Sequence, residues 1–438
     1  MQKTLISENM RITTKEYWFF LIAFYSCLFY TKVISYISSK QTFYNNILNC
    51  IKLGGPVFIK IGQNLANKND IDKDLKDTLS ILQKENFIEE EKKLVNITNL
   101  EYLQDKPIAA GSIAAVYLAE YNNKKSVVKI LHNEIEKKTI MSINLFENLR
   151  HYFQGASWFS AFNQLLEFDQ IYKEILQQTN LTNEVENLEK FRENFKDFKN
   201  VIFPEVYSYN NNYIIESFEE GLCFFDFIEE NPSKKEEASH ILHCCFYKMF
   251  FDNFIHADLH NSNIKFRVNK DNEVEIILLD FGLVSSIESQ QIYADFINIY
   301  KKNIFVPDYN KFVNLLKRVN ISENADLDRF ESRLNEIEKE LNIKNGIEDL
   351  KQKKYVKEAD DSIENVVSKI MNTALECNLK YKDYIFNVCN GFILLEDYRF
   401  ATSEDNSSLH ARFEYAEETG FIENMKESAS RMLKKNKK

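Results

Sequence analysis

The chain has 438 residues, 44% of them hydrophobic, so it can bury a substantial core and is not wholly disordered. The formal net charge is −11, which argues against nucleic acid as a partner because phosphate contacts need a clustered positive surface. Glycine (10 residues) and proline (5 residues) are scarce, which predicts a mostly helical protein with one modest sheet.

The N-terminal part contains a long apolar segment. Residues 17–30 carry no charge, and the apolar pattern continues beyond Lys32 to Ile37. Fourteen residues are short for a membrane-spanning helix, and the longer stretch reaches a spanning length only by including Lys32. Three interpretations stay open: a spanning or signal-anchor helix, an aromatic helix in the membrane interface, and a helix buried in the protein. No cleavage site clearly follows, so we do not expect a signal peptide that is removed.

Residues 41–100 predict helices, and Gly54-Gly55-Pro56 is a signal that ends one helix and starts the next. A β-hairpin is expected next, with apolar strands at 116–118 and 127–131 around the turn Asn122-Asn123. A loop of small residues precedes this hairpin, and it consists of Ala109, Ala110, Gly111 and Ser112.

The remaining chain is predicted to be mostly helical. Helical patterns cover about 135–195, 234–254 and 288–430. Short strands are predicted at 201–207, 213–218 and 274–279, with a turn at 210–212 between the first two. The chain ends in a basic run that we interpret as a solvated tail, namely Lys434, Lys435, Lys437 and Lys438.

The cysteines and most histidines suggest packing rather than metal chemistry. Seven cysteines are scattered without a CxxC pair, which predicts reduced, buried thiols and gives no sign of zinc. One cluster has helical spacing among apolar residues and is interpreted as core packing: His240, His243, Cys244 and Cys245.

A phosphoryl-transfer pattern is the strongest chemical signal in the chain. It runs His-Ala-Asp-Leu-His-Asn-Ser-Asn-Ile over 256–264, and Asp280-Phe281-Gly282 follows 17 residues after Asn263. Phosphoryl transfer needs a divalent metal at the phosphates and a carboxylate near the incoming nucleophile. Asp258 and Asn263 would present a carboxylate and an amide oxygen from one loop. The apolar strand that follows would deliver Asp280, a hard oxygen ligand for magnesium.

Lys129 lies in a predicted strand with apolar neighbours, where a lysine can hold the α- and β-phosphates of a nucleotide. An exposed strand lysine would give the same local pattern, but the small-residue loop before it and the metal-loop pattern after it favour the phosphate role. Such a lysine needs a carboxylate to hold it, and Glu184 is the candidate, although helical glutamates are usually solvated. His256 and His260 flank the candidate catalytic aspartate and are interpreted as loop-packing residues.

Six short motifs follow one another along the chain. They are GGPVFIKIGQ (54–63), PIAAGSIAAVY (107–117), VVK (127–129), NEVENLEKFRENF (183–195), HADLHNSNI (256–264) and LLDFG (278–282). With these motifs in this order, the chain resembles the UbiB-type (ABC1-like) atypical kinases over roughly residues 45–400. This protein-kinase-like family supports coenzyme Q biosynthesis in bacteria and mitochondria. The most specific motif is Lys60-Ile61-Gly62-Gln63, which ordinary kinases lack.

The resemblance implies an α+β, protein-kinase-like, two-lobed fold that is mostly helical, with a small N-lobe sheet and a helical extension over the active site. It implies ATP and Mg²⁺ as cofactors, with Lys129 as the phosphate lysine, Glu184 as its ion-pair partner and Asp258 as the catalytic aspartate. Asn263 and Asp280 would be the metal ligands. The other residues that it assigns to the nucleotide site are Ala109, Ala110, Gly111, Ser112, Lys60 and Gln63.

Three departures from the family pattern bear on this site. The family's triple alanine is Ala109-Ala110-Gly111 here, and the glycine is expected to loosen the loop over the phosphates. The family's acidic pair is Gln178-Thr179-Asn180 here, whose amides carry no charge to hold Lys60 or a metal. In the catalytic loop, Leu259 and Asn261-Ser262 replace the usual prolines and glycine, which changes the stiffness of the loop but keeps the metal-binding residue types.

The predicted organisation has five segments. They are 1–44 with the apolar helix, 45–106 as the helical extension, 107–220 as a kinase-like N-lobe, 221–425 as a helical C-lobe, and 426–438 as a basic tail.

The predicted function is that of a membrane-associated atypical kinase or ATPase that supports coenzyme Q or related lipid biosynthesis. The implied partners are a membrane lipid or quinone precursor and proteins of a biosynthetic complex. The implied location is the mitochondrial inner membrane in a eukaryote or the plasma membrane in a bacterium. Two alternatives stay open: a non-catalytic scaffold that binds ATP or lipid, and a small-molecule kinase of the aminoglycoside or choline type. The motif at 60–63 speaks against the small-molecule kinase.

Overall fold

The computed structural model describes residues 14–66, 72–84, 97–153, 168–300, 309–340, 369–370, 372–374, 376–381, 384–385, 388, 391 and 414–434. The chain divides into two compact units. Unit 1 comprises residues 1–185 and 205–218, and unit 2 comprises residues 186–204 and 219–438. The stretch 186–204, which the predicted segments assign to the N-lobe, therefore clusters with unit 2.

The strands are, in chain order, β1 (Leu100–Tyr102), β2 (Ala109–Ala110), β3 (Ala114–Tyr121), β4 (Lys124–Leu131), β5 (Val201–Ile202), β6 (Val206–Tyr209), β7 (Tyr213–Ser217), β8 (Ile255–His256), β9 (Ile264–Val268), β10 (Val274–Leu278) and β11 (Val284–Ser285).

The helices are, in chain order, α1 (Thr14–Ile34), α2 (Lys40–Gly54), α3 (Pro56–Ala66), α4 (Lys73–Leu79), α5 (Ile81–Lys84), α6 (Ile135–Phe153), α7 (Phe168–Gln178), α8 (Leu181–Asn194), α9 (Phe224–Glu230), α10 (Lys235–Phe251), α11 (Gln290–Ile299), α12 (Tyr309–Val319), α13 (Leu327–Glu340) and α14 (Phe421–Lys434). A short 3₁₀ turn spans Pro232–Lys234.

The sheet of unit 1 has the strand order β1-β3-β4-β7-β6, with β2 paired to β3. Strands β3 and β4 form the predicted hairpin, in register from Ala114 opposite Leu131 to Tyr121 opposite Lys124. Its two turn residues have positive φ angles, 51° at Asn122 and 61° at Asn123. A two-residue hairpin turn of this kind needs positive φ, and asparagine tolerates it. Strand β4 is thus held by hydrogen bonds on both edges.

Helices α2 and α3 meet at the predicted break. Helix α2 ends at Gly54, Gly55 has a φ of 85°, and Pro56 starts α3. Glycine adopts this φ without strain, and proline suits a first helical turn because it has no N–H to leave unpaired. Helix α3 then packs within unit 1 against α2, α4, α6 and α7.

Helix α1 covers the apolar N-terminal segment and packs on unit 1 with only one side. On the packed side, Phe24 is 3% exposed and its ring lies 5.1 Å from that of Phe58. On the other side, Trp18 is 59% and Phe29 is 72% exposed. By length and composition Lys15–Ile34 could cross a membrane, yet only 11% of its apolar window is buried. This exposure contradicts a helix buried on all sides.

Two small sheets lie in the described part of unit 2. One has the order β5-β10-β9, and the other pairs β8 with β11. Strand β10 is the short apolar strand predicted before Asp280. The prediction of a single strand at 201–207 is wrong, because this stretch forms two strands in different sheets. Strand β5 pairs with β10 of unit 2, whereas β6 pairs with β7 of unit 1. Pro204 lies between the two strands, and proline has no N–H to continue a ladder.

Helix α10 is the central helix of unit 2 and is buried from Ala238 to Phe251. The predicted core packing of its histidines and cysteines is present, since four residues are at most 7% exposed: His240, His243, Cys244 and Cys245. Lys248, also buried, forms an ion pair of 2.7 Å with Asp252 one turn later. A buried charge needs such a partner, because desolvation of a lone ammonium is costly.

Candidate active site

Lys129 lies in the middle of β4, opposite Val116 of β3 and Ile214 of β7. Its Nζ donates hydrogen bonds of 2.7 and 2.8 Å to the two carboxylate oxygens of Glu184 on α8. The side chains are 16% and 9% exposed. The carboxylate therefore holds the ammonium from one side in a partly desolvated setting, where charge-assisted hydrogen bonds are strongest.

The small-residue segment is a tight hairpin rather than a free loop. Ala109 and Ala110 form β2, opposite Val116 and Ala115 of β3. The N–H of Gly111 donates to the carbonyl of Ala114 (2.9 Å), which closes the turn. A Cβ on Gly111 would meet nothing within 4 Å, so no close contact requires a glycine at this position.

Helix α3 carries the Lys60–Gln63 motif. The Nζ of Lys60 lies 3.9 Å from a carboxylate oxygen of Glu174 on α7. The Nε2 of Gln63 donates to the carbonyl of Leu82 on α5 (2.9 Å). The glycine between them has a packing reason, since a Cβ on Gly62 would lie 2.5 Å from Cδ1 of Leu82.

Glu174 supplies the charge that the amides at 178 and 180 lack. It lies four residues before Gln178 on α7, which places the two on one helix face. Glu174 is not among the residues predicted from the sequence, although this helical spacing could have revealed it.

In unit 2, the loop 257–263 links β8 to β9 and carries two of the predicted residues. The Nδ2 of Asn263 donates to the carbonyl of Asp258 (3.0 Å), which leaves the amide oxygen as the acceptor. The backbone carbonyl of Asn263 accepts the N–H of Leu279 (2.9 Å). This bond ties the loop to the segment that carries Asp280. His260 is half-exposed, with Nε2 lying 3.9 Å from Asp258 Oδ2.

Asp280 follows β10 in an unusual backbone conformation, with a φ of 58°. Non-glycine residues seldom adopt positive φ, and such outliers concentrate at functional sites. One carboxylate oxygen of Asp280 accepts the N–H of Gly282 (3.3 Å).

His256 is 2% exposed, and burial lowers the pKa of its imidazole. The neutral ring uses both nitrogens: Nε2 donates to the carbonyl of Leu279 (3.0 Å), and Nδ1 accepts the N–H of Asp258 (3.3 Å). The histidine therefore fixes the loop and the segment before Asp280 together. This agrees with its predicted packing role.

The structure brings the predicted residues together in two groups. Lys129 and Glu184 form an ion pair in unit 1, and Asp258, Asn263 and Asp280 lie on two adjoining loops in unit 2. Their roles toward a nucleotide stay predictions.

The donor set in unit 2 fits magnesium. Mg²⁺ prefers oxygen ligands and is usually held by one or two carboxylates together with phosphate oxygens and water. Asn263 offers an amide oxygen and Asp280 a carboxylate. Within the described part of the chain, no group of three or more His, Cys, Asp or Glu residues is arranged to hold a metal ion. In a Mg·ATP complex, phosphate oxygens and water would complete the coordination.

Residues 73–316, more than half of the chain, match the model of the ABC1 atypical kinase-like domain. The chain belongs to this family. The match confirms the resemblance drawn from the six motifs, and with it the kinase-like α+β fold. The matched domain is described as kinase-like.

The ABC1 relatives include eukaryotic and bacterial proteins. The probable serine/threonine-protein kinase abkC of Dictyostelium discoideum is 29% identical over 257 residues, covering 54% of this chain and 37% of that protein. The probable protein kinase UbiB of Glaesserella parasuis is 26% identical over 321 residues, covering 65% of this chain and 56% of that protein. The matches thus span about half or less of the relatives' length.

Two solved structures are more distant. A structure of Rv3197 with erythromycin from Mycobacterium tuberculosis has 14% identity and a TM-score of 0.42, covering 70% of this chain and 78% of that chain. The complex of Rio2 kinase with ADP/Mg²⁺ and phosphoaspartate from Chaetomium thermophilum has 14% identity and a TM-score of 0.28, covering 52% and 61%. The fold assignment depends on the family match and not on these two.

Proposed function

We propose that this chain is an ATP-dependent phosphotransferase or ATPase that binds Mg·ATP through Lys129, Asp258, Asn263 and Asp280. The observation that carries the proposal is the ion pair in which Lys129 Nζ donates to both carboxylate oxygens of Glu184. It fixes an ammonium in the central strand of a kinase-like sheet, as a phosphate-binding lysine requires.

Each residue has a definite task in this proposal. Lys129 holds the α- and β-phosphates, and Glu184 keeps its ammonium in place. Asn263 and Asp280 would hold the magnesium ion, which neutralises phosphate charge when bound. Asp258 orients the hydroxyl of the acceptor, which is water, a small molecule or a protein side chain.

The test is ATP turnover by the full chain and by Asp280→Asn. The proposal expects the variant to lose most of the Mg²⁺-dependent turnover, because an amide is a weaker ligand for a hard cation than a carboxylate. Asp271→Asn is the matched control, since Asp271 is exposed in the turn between β9 and β10.

Equal ATP turnover by the wild type and Asp280→Asn would refute the proposed enzymatic activity. Nucleotide-dependent thermal stabilisation without turnover would instead indicate the non-catalytic scaffold. Phosphate transfer to an added small alcohol would indicate the small-molecule kinase.

We also propose that the chain associates with a membrane through α1, which lies in the interface rather than spanning. The packed side of α1 is tied to unit 1 along its length. Glu16 pairs with Lys137 (2.5 Å) near one end, and Thr31 Oγ1 lies 3.4 Å from Cys50 Sγ near the other. The opposite side exposes tryptophan, tyrosine and phenylalanine, which favour the membrane–water boundary. An open groove of about 440 Å³ runs along it, lined by Trp18, Leu21, Ile22, Tyr25, Ser26 and Phe29.

Flotation with liposomes tests this surface. The double variant Trp18→Ser/Phe29→Ser should lose most binding, whereas Tyr152→Ser should keep it. Tyr152 is 81% exposed on α6 of the same unit and so controls for the loss of an exposed aromatic ring. Wild-type protein should be released from membranes by alkaline carbonate. Retention after carbonate would contradict the interfacial placement and indicate a spanning helix.

We further propose a role in the biosynthesis of coenzyme Q or a related lipid, with a lipid, a quinone precursor or a biosynthetic complex as the partner. The support is family membership and the UbiB relatives. The wild-type chain should restore coenzyme Q in a bacterium that lacks its UbiB protein, and Asp280→Asn should not. Unchanged quinone content with a well-expressed chain would contradict this role.

A further inference from the structure

Side-chain donors hold the carbonyls on both sides of Asp280. The Nε2 of His256 donates to the carbonyl of Leu279 (3.0 Å), and the Nδ2 of Asn187 donates to the carbonyl of Phe281 (2.9 Å). Asp280 lies between these carbonyls with a φ of 58°. A non-glycine residue keeps such a conformation only where its surroundings fix it.

The ring of Phe281 is held independently of Asn187. Its centroid lies 5.0 Å from the ring of Phe191, 5.4 Å from that of His256 and 5.7 Å from that of Phe203. The ring is 2% exposed, so this packing anchors the side chain. The Asn187 amide therefore acts on the peptide between Phe281 and Gly282, whose N–H donates to a carboxylate oxygen of Asp280 (3.3 Å).

Asn187 lies on α8, three residues after Glu184, and belongs to unit 2. Residues three apart share a helix face, so this spacing could have singled it out beside Glu184. Both hydrogen-bonded partners of the Asn187–Phe281 contact lie within unit 2.

We propose that Asn187 is a positioning residue that sets the direction of the Asp280 carboxylate toward magnesium. The inference rests on the proposed function. Groups that orient a metal ligand from outside the coordination shell tune metal affinity, and their loss typically lowers it about 10–100-fold. Without the amide donor, the Phe281 carbonyl loses its side-chain partner, and the Phe281–Gly282 peptide, whose N–H donates to the Asp280 carboxylate, can rotate.

The experiment compares Asn187→Leu with the wild type. Leucine has a similar size but no donor and no charge. The Mg²⁺ concentration for half-maximal nucleotide-dependent stabilisation should rise about 10-fold or more. Nucleotide binding in EDTA should change little, because Lys129 still holds the phosphates. If Asn187 had only a structural role, its substitution would affect nucleotide binding equally with Mg²⁺ and in EDTA.

Glu186→Gln is the matched control, since Glu186 is exposed on the same helix next to Asn187. It should keep the wild-type Mg²⁺ dependence. If Asn187→Leu does not fold, Asn187→Ser replaces it and should also shift the Mg²⁺ dependence.

Two results would overturn the role of Asn187. One is an unchanged Mg²⁺ dependence in a folded variant, and the other is an equal loss of binding with and without magnesium. If the wild type itself shows no Mg²⁺-dependent nucleotide binding, the proposed function fails and this inference falls with it.

Discussion

At the scale of single residues, the Lys129–Glu184 pair is the best-defined polar contact of the candidate site. Both carboxylate oxygens accept from one ammonium, and both side chains are largely shielded from water. Removing one member of such a pair leaves a partly buried charge without this partner, which lowers stability. The pair should thus contribute to stability as well as to nucleotide binding.

We expect Glu184→Gln to lower the free energy of unfolding by about 1–3 kcal/mol, because a hydrogen bond to a charged group is lost while Lys129 stays partly buried. Chemical denaturation measures this change. Glu186→Gln on the same helix should have little effect, since Glu186 is exposed. The double variant Lys129→Met/Glu184→Gln should be less destabilised than the sum of its single variants. If the double variant lost as much unfolding free energy as the two single variants together, the two side chains would not interact in solution.

At the scale of secondary-structure elements, α3 is positioned by both apolar and polar contacts within unit 1. Val57 and Ile61 of α3 are buried in one cluster with Ile175 and Val185 of α7 and α8. Gly62 lets α3 approach α5 closely, so the motif's glycine serves helix packing. The helix that carries Lys60 is therefore a fixed part of unit 1.

Gly62→Val should lower the free energy of unfolding by about 1–3 kcal/mol, because added carbons overpack the contact with Leu82. Thermal or urea denaturation checks this. Asn45→Val, at an exposed position of α2, controls for the low helix propensity of valine. Equal effects of Gly62→Val and Asn45→Val would contradict the packing role of Gly62.

Gly111→Ala, which also restores the family's triple alanine, should leave stability unchanged because its Cβ meets nothing within 4 Å.

At the scale of the whole molecule, binding of a nucleotide as proposed should stabilise the folded chain. Lys129 and Glu184 belong to unit 1, whereas Asp258, Asn263 and Asp280 belong to unit 2. A ligand that binds only the folded chain stabilises it in proportion to RT ln(1 + [L]/Kd). Loss of any one of the residues proposed to bind the nucleotide should therefore reduce the stabilisation.

We expect Mg·ATP at 100 times its Kd to stabilise the wild type by about 2.7 kcal/mol. Lys129→Met and Asp280→Asn should each show a smaller upward shift of the unfolding midpoint. Lys124→Met, an exposed position on β4, is the control and should respond like the wild type. If Mg·ATP raised the unfolding midpoint of Lys129→Met as much as that of the wild type, Lys129 would not belong to the nucleotide site.

The sequence alone determined the family, the β3–β4 hairpin, the break at Gly55 and the types of residue that could bind Mg·ATP. These features are local, because they depend on turn chemistry, strand pattern and the order of short motifs. The sequence named Glu184 as a candidate partner of Lys129, and the tertiary structure decided that it reaches this lysine, 55 positions away, and that Glu174 supplies the charge near Lys60. It also decided that Asn187 holds the Phe281 carbonyl. Helical spacing can nominate such residues as candidates, but the partner that each one contacts depends on how helices and strands pack, and the local sequence does not record that packing.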